Sequence, residues 1–330
     1  NERYAPENRE LFFFFHRHRQ LNEAQGKWMG WERKRGAIIE FNDLLLGSGD
    51  TSYTVISCHP SKLPRIKYVI TLDADTSLPI GAAKKLVGTT SHPLNRAVVD
   101  EERGVVVKGY GLLQPRIIIN IVSANASLFS RIFAGYGGVD PYSSAVSDVY
   151  QDLFGEGIFT GKGIYDLEVF QKVLKDAIPE NAVLSHDLLE GSYIRAGLVT
   201  DVELADGYPA KYSSFAMRLH RWVRGDWQLL PWLASRVRDR RGNLRKNPLS
   251  AISRWKIIDN MRRSLLAPSL FMLILLGFSL LPGNPLIWLG LALLVNAFPA
   301  VIHILREALS GGYRAAAPLK TSGSYVGSRL

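Results

Sequence analysis

Cysteine is almost absent. The 330-residue chain carries Cys58 alone, which excludes an internal disulfide framework and fits a reducing compartment. A lone thiol of this kind reads as a small packing residue, and no chemistry is assigned to it. Internal repeats and low-complexity tracts are lacking, and with 47% hydrophobic residues the chain has ample material for a core, so disorder is not the default. No Walker spacing is present. Phe159-Thr160-Gly161-Lys162-Gly163 has the look of a phosphate cradle without the motif's length, which argues against a P-loop. Also missing are an initiator Met, a signal peptide and any targeting sequence; the opening Asn1-Glu2-Arg3-Tyr4 reads as the start of an excised fragment.

Positive charge is abundant by contrast. The formal balance is +10, which suits nucleic acid, anionic lipid or phosphorylated substrates, so its distribution decides. Arg236, Arg238, Arg240, Arg241, Arg245 and Lys246, then Arg254, Lys256, Arg262 and Arg263, run up to the uncharged stretch Leu265 to Leu281. A second apolar stretch, Pro285 to Leu305, follows Pro-Gly-Asn-Pro. Both suit membrane spans, and basic residues beside them point to a bilayer and to no nucleic acid. The positive-inside rule puts Arg254 to Arg263 on the cytoplasmic side, with a hairpin returning Arg306 there. Two buried core helices are the alternative.

Upstream, strands and helices alternate, which argues an α/β sheet. The four consecutive residues Phe12 to Phe15 suggest a core strand, and Glu32-Arg33-Lys34-Arg35-Gly36 leads into a helix. A strand is expected at 67–72, a helix near 81–91, and β-rich runs at Val105 to Val107 and Ile117 to Val122. Gly135, Gly137, Gly138, Gly155, Gly157, Gly161 and Gly163 predict mobile loops between 135 and 165. After Ser185-His186-Asp187 a loop, a helix and the alternating strand Leu198 to Leu204 are expected, then an amphipathic helix from Phe215 to Leu230.

The densest chemistry lies in Asp73-Ala74-Asp75, leaving the apolar run Tyr68 to Leu72. Two carboxylates at this spacing share one divalent cation whose free positions take diphosphate oxygens. The triplet alone is weak, since about one is expected by chance in a chain of this size. It reads equally as a solvated turn capping the next helix, with Thr76, Ser77 and Pro79 as start residues. Its place at the carboxyl end of a strand, where α/β sheets gather ligands, favours the first reading. Asp187 is open in the same way, as a general base or as a helix cap. On the later helix Arg218, Arg221 and Trp222 share one face. Guanidinium groups there hold a diphosphate and an indole offers a sugar platform, or the face lies at the lipid headgroups.

In this order the pieces resemble the processive, family-2-type glycosyltransferases of the GT-A fold: a Lys-x-Gly loop, Asp-x-Asp, an acidic residue after Ser or Thr and one intervening residue, a (Gln/Arg)-x-x-Arg-Trp motif and membrane helices. Flanking residues sharpen the resemblance to the glycosyltransferase domain of bacterial cyclic β-1,2-glucan synthases. They include Trp31 to Gly36, Thr71 to Thr76, His92 to Arg96, Gly109 to Arg116, Asp148 to Gly157 and His220 to Gln228. That resemblance implies an α/β fold with a GT-A mixed sheet flanked by helices, its first strands lying upstream of Asn1. It implies a domain over 1–235, a basic interfacial segment over 236–263, two transmembrane helices over 264–306 and a tail or linker over 307–330. The remaining domains of a larger parent chain, with further membrane helices and a phosphorylase-like module, are partners by the same inference.

It further implies UDP-glucose as donor, a growing β-1,2-glucan as acceptor and inversion at the anomeric carbon, in the bacterial inner membrane with the catalytic part facing the cytoplasm. Asp73 and Asp75 then hold Mg²⁺ or Mn²⁺ and, through it, the diphosphate, while Lys34 matches the basic residue of the donor loop. Asp187 falls at the catalytic base, His186 stands where other processive enzymes carry Glu, and Arg218, Arg221 and Trp222 form the last motif. Three other readings compete: a cellulose- or hyaluronan-type synthase, a metal-dependent phosphohydrolase centred on His186-Asp187 with His59 and His92, and a non-catalytic nucleotide-sugar-binding membrane scaffold.

Overall fold

The computed structural model describes residues 11–57, 63–134 and 148–314. Cys58, His59, Gly135, Gly137, Gly138 and the tail 315–330 lie outside them. Tyr68-Val69-Ile70-Thr71, β-branched and aromatic, form strand β1 (Tyr68–Thr71) at one edge of a five-stranded mixed sheet. The other strands are β2 (Thr76–Ser77), β3 (Leu112–Ile119), β4 (Gly163–Asp166) and β5 (Ala196–Asp206), in the order β1-β4-β3-β5-β2. Only β3 and β5 run parallel; β4 is antiparallel to β1 and β3, and β2 to β5. The carboxyl ends of β1, β3 and β5 and the amino end of β4 therefore share one edge of the sheet.

Five helices frame the site, α1 (Arg33–Leu45), α2 (Ala82–Ser91), α3 (Leu167–Leu174), α4 (Asp187–Ile194) and α5 (Tyr212–Gln228); α2 and α3 pack on this sheet, and α1 and α4 pack on α3. The core buries Leu112, Ile164, Tyr165, Leu167, Phe170, Leu189, Tyr193 and Ile194 almost completely. Asp166 ends β4 and caps α3 through the Val169 N–H, 3.1 Å away, so one residue closes a strand and opens a helix. Pro115 interrupts β3, where it has no N–H to give the ladder. There the register with β5 jumps from Val199↔Pro115 to Glu203↔Arg116.

Several expectations need correcting. Phe15 enters only a short strand, Phe15–Arg17, paired with Tyr53–Ile56, and Phe12 and Phe14 are exposed. The edge ladder uses alternate residues, so four Phe in a row cannot all face one core. Ile121 and Val122 start a helical turn, because the Asn120 side chain accepts the Val122 N–H and ends the strand. In the described part of the glycine-rich stretch a loop does run from Gly155 to Lys162, holding Gly157 and Gly161, but it is flanked by regular elements: Gly155 closes a helix over Val149–Phe154 in the left-handed region, and Gly163 begins the buried β4.

Residues up to Met261 form one compact unit and those from Arg262 another. In the first, part of the basic segment is a hairpin of Arg236–Arg238 with Leu244–Lys246, and Arg240 stacks on Trp31, 4.9 Å from the ring centre. Among the described residues one helix, Ala251–Ser279, is long and apolar enough to cross a membrane; in the next helix, Pro285–Arg314, the described apolar run is shorter, Pro285–Phe298.

Candidate functional site

At the shared sheet edge the chain leaves β1 and turns: the Thr76 N–H donates to Asp73 O at 3.1 Å, and β2 immediately pairs Thr76 with Asp206. The Gly207 N–H donates to Asp75 O, also at 3.1 Å, and a side chain at Gly207 would press on the Asp75 Cβ at 3.2 Å. The turn is thus fastened from both sides. It does not cap the next helix, whose N-cap is Gly81 with no side-chain bond. Both carboxylates instead line a cavity of about 450 Å³.

That cavity collects all seven site residues of the glycosyltransferase reading: Lys34, Asp73, Asp75, Asp187, Arg218, Arg221 and Trp222. Lys34, near the start of α1, reaches Asp73 Oδ1 at 2.6 Å and the Gly161 carbonyl at 2.8 Å. Arg218 on α5 lies 3.3 Å from Asp75 Oδ2. One turn further on, Arg221 and Trp222 look into the same space. Asp187 is the first residue of α4 and does not cap it; His186 is the N-cap and makes no capping bond. The Asp187 carboxylate lies instead against Gly161, where an added Cβ would sit 2.9 Å from Oδ1. Gly161 has φ +90, so both backbone and space require glycine.

Burial raises the Asp187 pKa, opposed by the His186 and Lys34 charges and reinforced by Glu190. Asp73 goes the other way: burial would raise it, but the ammonium groups of Lys34 and Lys162 hold it below the usual carboxylate range. His186 is buried with Nδ1 2.9 Å from Glu190 Oε2 and 3.5 Å from Asp187 Oδ1. Burial disfavours its charged form, yet Glu190 and Asp187 outweigh that and lift its pKa above the ordinary histidine value. Among the described residues Glu190 joins His186 and Asp187, with ligand atoms within 4.8 Å of one another, whereas His92, named in the phosphohydrolase reading, sits at the end of α2, accepting the Leu94 N–H, and His59 lies outside the described residues.

Local sequence pattern gives no site role to Lys162, Asp206, Thr160, Gln114, Glu32 or Arg33, yet all six shape the site. Lys162 pairs with Asp73 Oδ2 at 3.3 Å and with the buried Asp206, which accepts a 2.7 Å hydrogen bond from Thr76 Oγ1. Thr160 is positioned by Gln114, whose side-chain oxygen accepts from its N–H at 2.9 Å and its hydroxyl at 3.1 Å. At the amino end of α1, Glu32 and Arg33 both adopt left-handed backbone, and Glu32 bridges Arg35 at 2.5 Å and the Asn181 N–H at 2.6 Å. A lysine bracketed by two glycines was the one visible sign of this group. Rejecting the P-loop left it without a role.

The class these observations define is a mixed α/β protein with a pocket of paired acids and opposing cations at the carboxyl edge of its sheet. No family model matches the chain. It is 48% identical over 301 residues to the cyclic beta-(1,2)-glucan synthase NdvB of Rhizobium meliloti (strain 1021), an alignment covering 90% of this chain and 10% of that relative. The resemblance read from the motifs is borne out: the chain is related over nearly its whole length to a segment of a cyclic β-1,2-glucan synthase.

Proposed function

We propose that this chain is the catalytic segment of a membrane-bound inverting glucosyltransferase of GT-A type, which moves glucose from UDP-glucose onto a growing β-1,2-glucan in cyclic glucan synthesis. The relative's activity supports a glucan synthase role. One observation carries the reading: acids, cations and an indole from separate stretches of sequence line a single cavity.

The donor set fits Mg²⁺ or Mn²⁺. Asp73 and Asp75 offer hard oxygen ligands that open into the cavity. When bound, such an ion offsets negative charge on the departing diphosphate. Lys34, Arg218 and Arg221 bind the same phosphates, and Trp222 gives the sugar a flat apolar face. Asp187 removes the proton from the acceptor hydroxyl as its oxygen bonds to the anomeric carbon and the bond from that carbon to UDP breaks. One displacement inverts the centre, and no covalent nucleophile is needed. The raised pKa of Asp187 makes it a better proton acceptor than an ordinary aspartate.

The apolar part of the helix Ala251–Ser279 that follows Arg263, and the apolar run after Pro285, cross the inner membrane as a hairpin, with the basic residues 254–263 holding the catalytic part on the cytoplasmic face. The remaining domains of the longer parent chain act on the glucan that this site extends. In the full-length chain, Asp187→Asn is expected to lower transfer by about 10²- to 10⁴-fold while UDP affinity stays within twofold or so of the parent's. Equal transfer by both forms would remove Asp187 as the base.

A further inference from the structure

Lys162 was given no part in the chemistry above. It is held by a constrained piece of chain: Gly161 before it is left-handed at φ +90, and Gly163 after it enters β4 so closely that an added Cβ would meet the Leu113 carbonyl at 2.3 Å. Its side chain lines the cavity, where it lies only 12% exposed. There the ammonium spans two carboxylates of different standing. Asp206 is buried at the end of β5 and fixed by Thr76 Oγ1, whereas Asp73 is open to the cavity and is one of the two acids suited to a cation. Asp206 is the fixed holder, and Asp73 is the partner a bound ion would take.

We infer that Lys162 is a phosphate-binding residue, anchored by Asp206 and turned toward the diphosphate of a nucleoside-diphosphate donor, so that this pocket carries a built-in cation beside its Asp-x-Asp acids. The inference rests on the donor reading given above. A lysine suits the task as a compact point charge with three donors, able to keep Asp206 while meeting a phosphate oxygen. With Lys34 on the other side of Asp73, two ammonium groups flank the place where leaving-group charge develops. One consequence is that diphosphate binding persists in weakened form when divalent ions are removed.

The test is binding of UDP and of uridine, by calorimetry, to the detergent-solubilised full-length chain with Mn²⁺ and with chelator. Lys162→Met is expected to weaken UDP binding by about 10- to 100-fold with Mn²⁺, to abolish the residual binding in chelator, and to leave uridine binding unchanged. Lys162→Arg should keep most of the affinity. Asp206→Asn, which frees the ammonium from its anchor, should weaken UDP binding and spare uridine. Should Lys162→Met not fold, Lys162→Gln takes its place with the same expectation. UDP affinity equal to the parent's in Lys162→Met or Lys162→Gln, or an equal loss for uridine, overturns the inference. Two further results separate it from the donor reading. A parent chain that binds no UDP in either condition defeats both, whereas UDP binding that falls with Asp73→Asn and ignores Lys162 defeats this inference alone.

Discussion

Asp187 is a residue at which burial and charge oppose each other, and its histidine neighbour is the adjustable part. The charge on His186 holds the Asp187 pKa down while Glu190 and burial push it up. Replacing His186 with Gln removes the opposing charge and leaves Glu190 unbalanced. The acid limb of the transfer rate, which falls as Asp187 becomes protonated, is therefore expected to move to higher pH; a pH profile of Asp187-dependent transfer in the His186→Gln chain checks this. An unmoved limb would sever the link between the two side chains. Asp73, Asp75, Asp187, Arg218, Arg221 and Trp222 were legible because each sits in a short local pattern whose chemistry is carried by neighbours within four positions. Lys162 and Asp206 were not, since their meaning lies in a pairing across 44 positions that only the sheet brings together.

The elements that hold these groups were mostly legible too: β1, α2, α4 and α5 lie close to where periodicity puts them. Apolar runs misled where a local bond overruled them, as at Asn120, or where an edge pairing left alternate Phe residues outside. The start of α1 shows what pattern reading does not see. Two successive left-handed residues, Glu32 and Arg33, precede Lys34, and a buried ion pair between Glu32 and Arg35 locks them, with the Arg35 guanidinium also donating to the Ile178 and Pro179 carbonyls at 3.3 Å. Breaking that pair strands a buried charge. Glu32→Ala is expected to destabilise the fold by about 3–5 kcal/mol and to weaken UDP binding by loosening Lys34. Thermal unfolding and UDP titration of the same variant check both. Gly161→Ala is the second element-scale test. Its Cβ would strain a φ of +90 and push on Asp187, so transfer should fall more than UDP affinity does.

For the molecule as a whole, the charge pattern divides with the two units. Carboxylates and cations meet in the cavity of the unit ending at Met261, and the uncharged stretch Leu265 to Leu281 belongs to the unit starting at Arg262. Membranes bearing the full-length chain should retain it through alkaline carbonate washing; release by the wash would contradict the membrane part of the reading. The match spans only 10% of the relative. The central claim, that this cavity joins glucose from UDP-glucose through β-1,2 bonds, is tested most directly by linkage analysis of glucan made from labelled UDP-glucose and Mn²⁺ by such membranes. The expected result is β-1,2-linked polymer that disappears with Asp187→Asn. Polymer with β-1,4 bonds, or β-1,2 polymer undiminished in that variant, would contradict it.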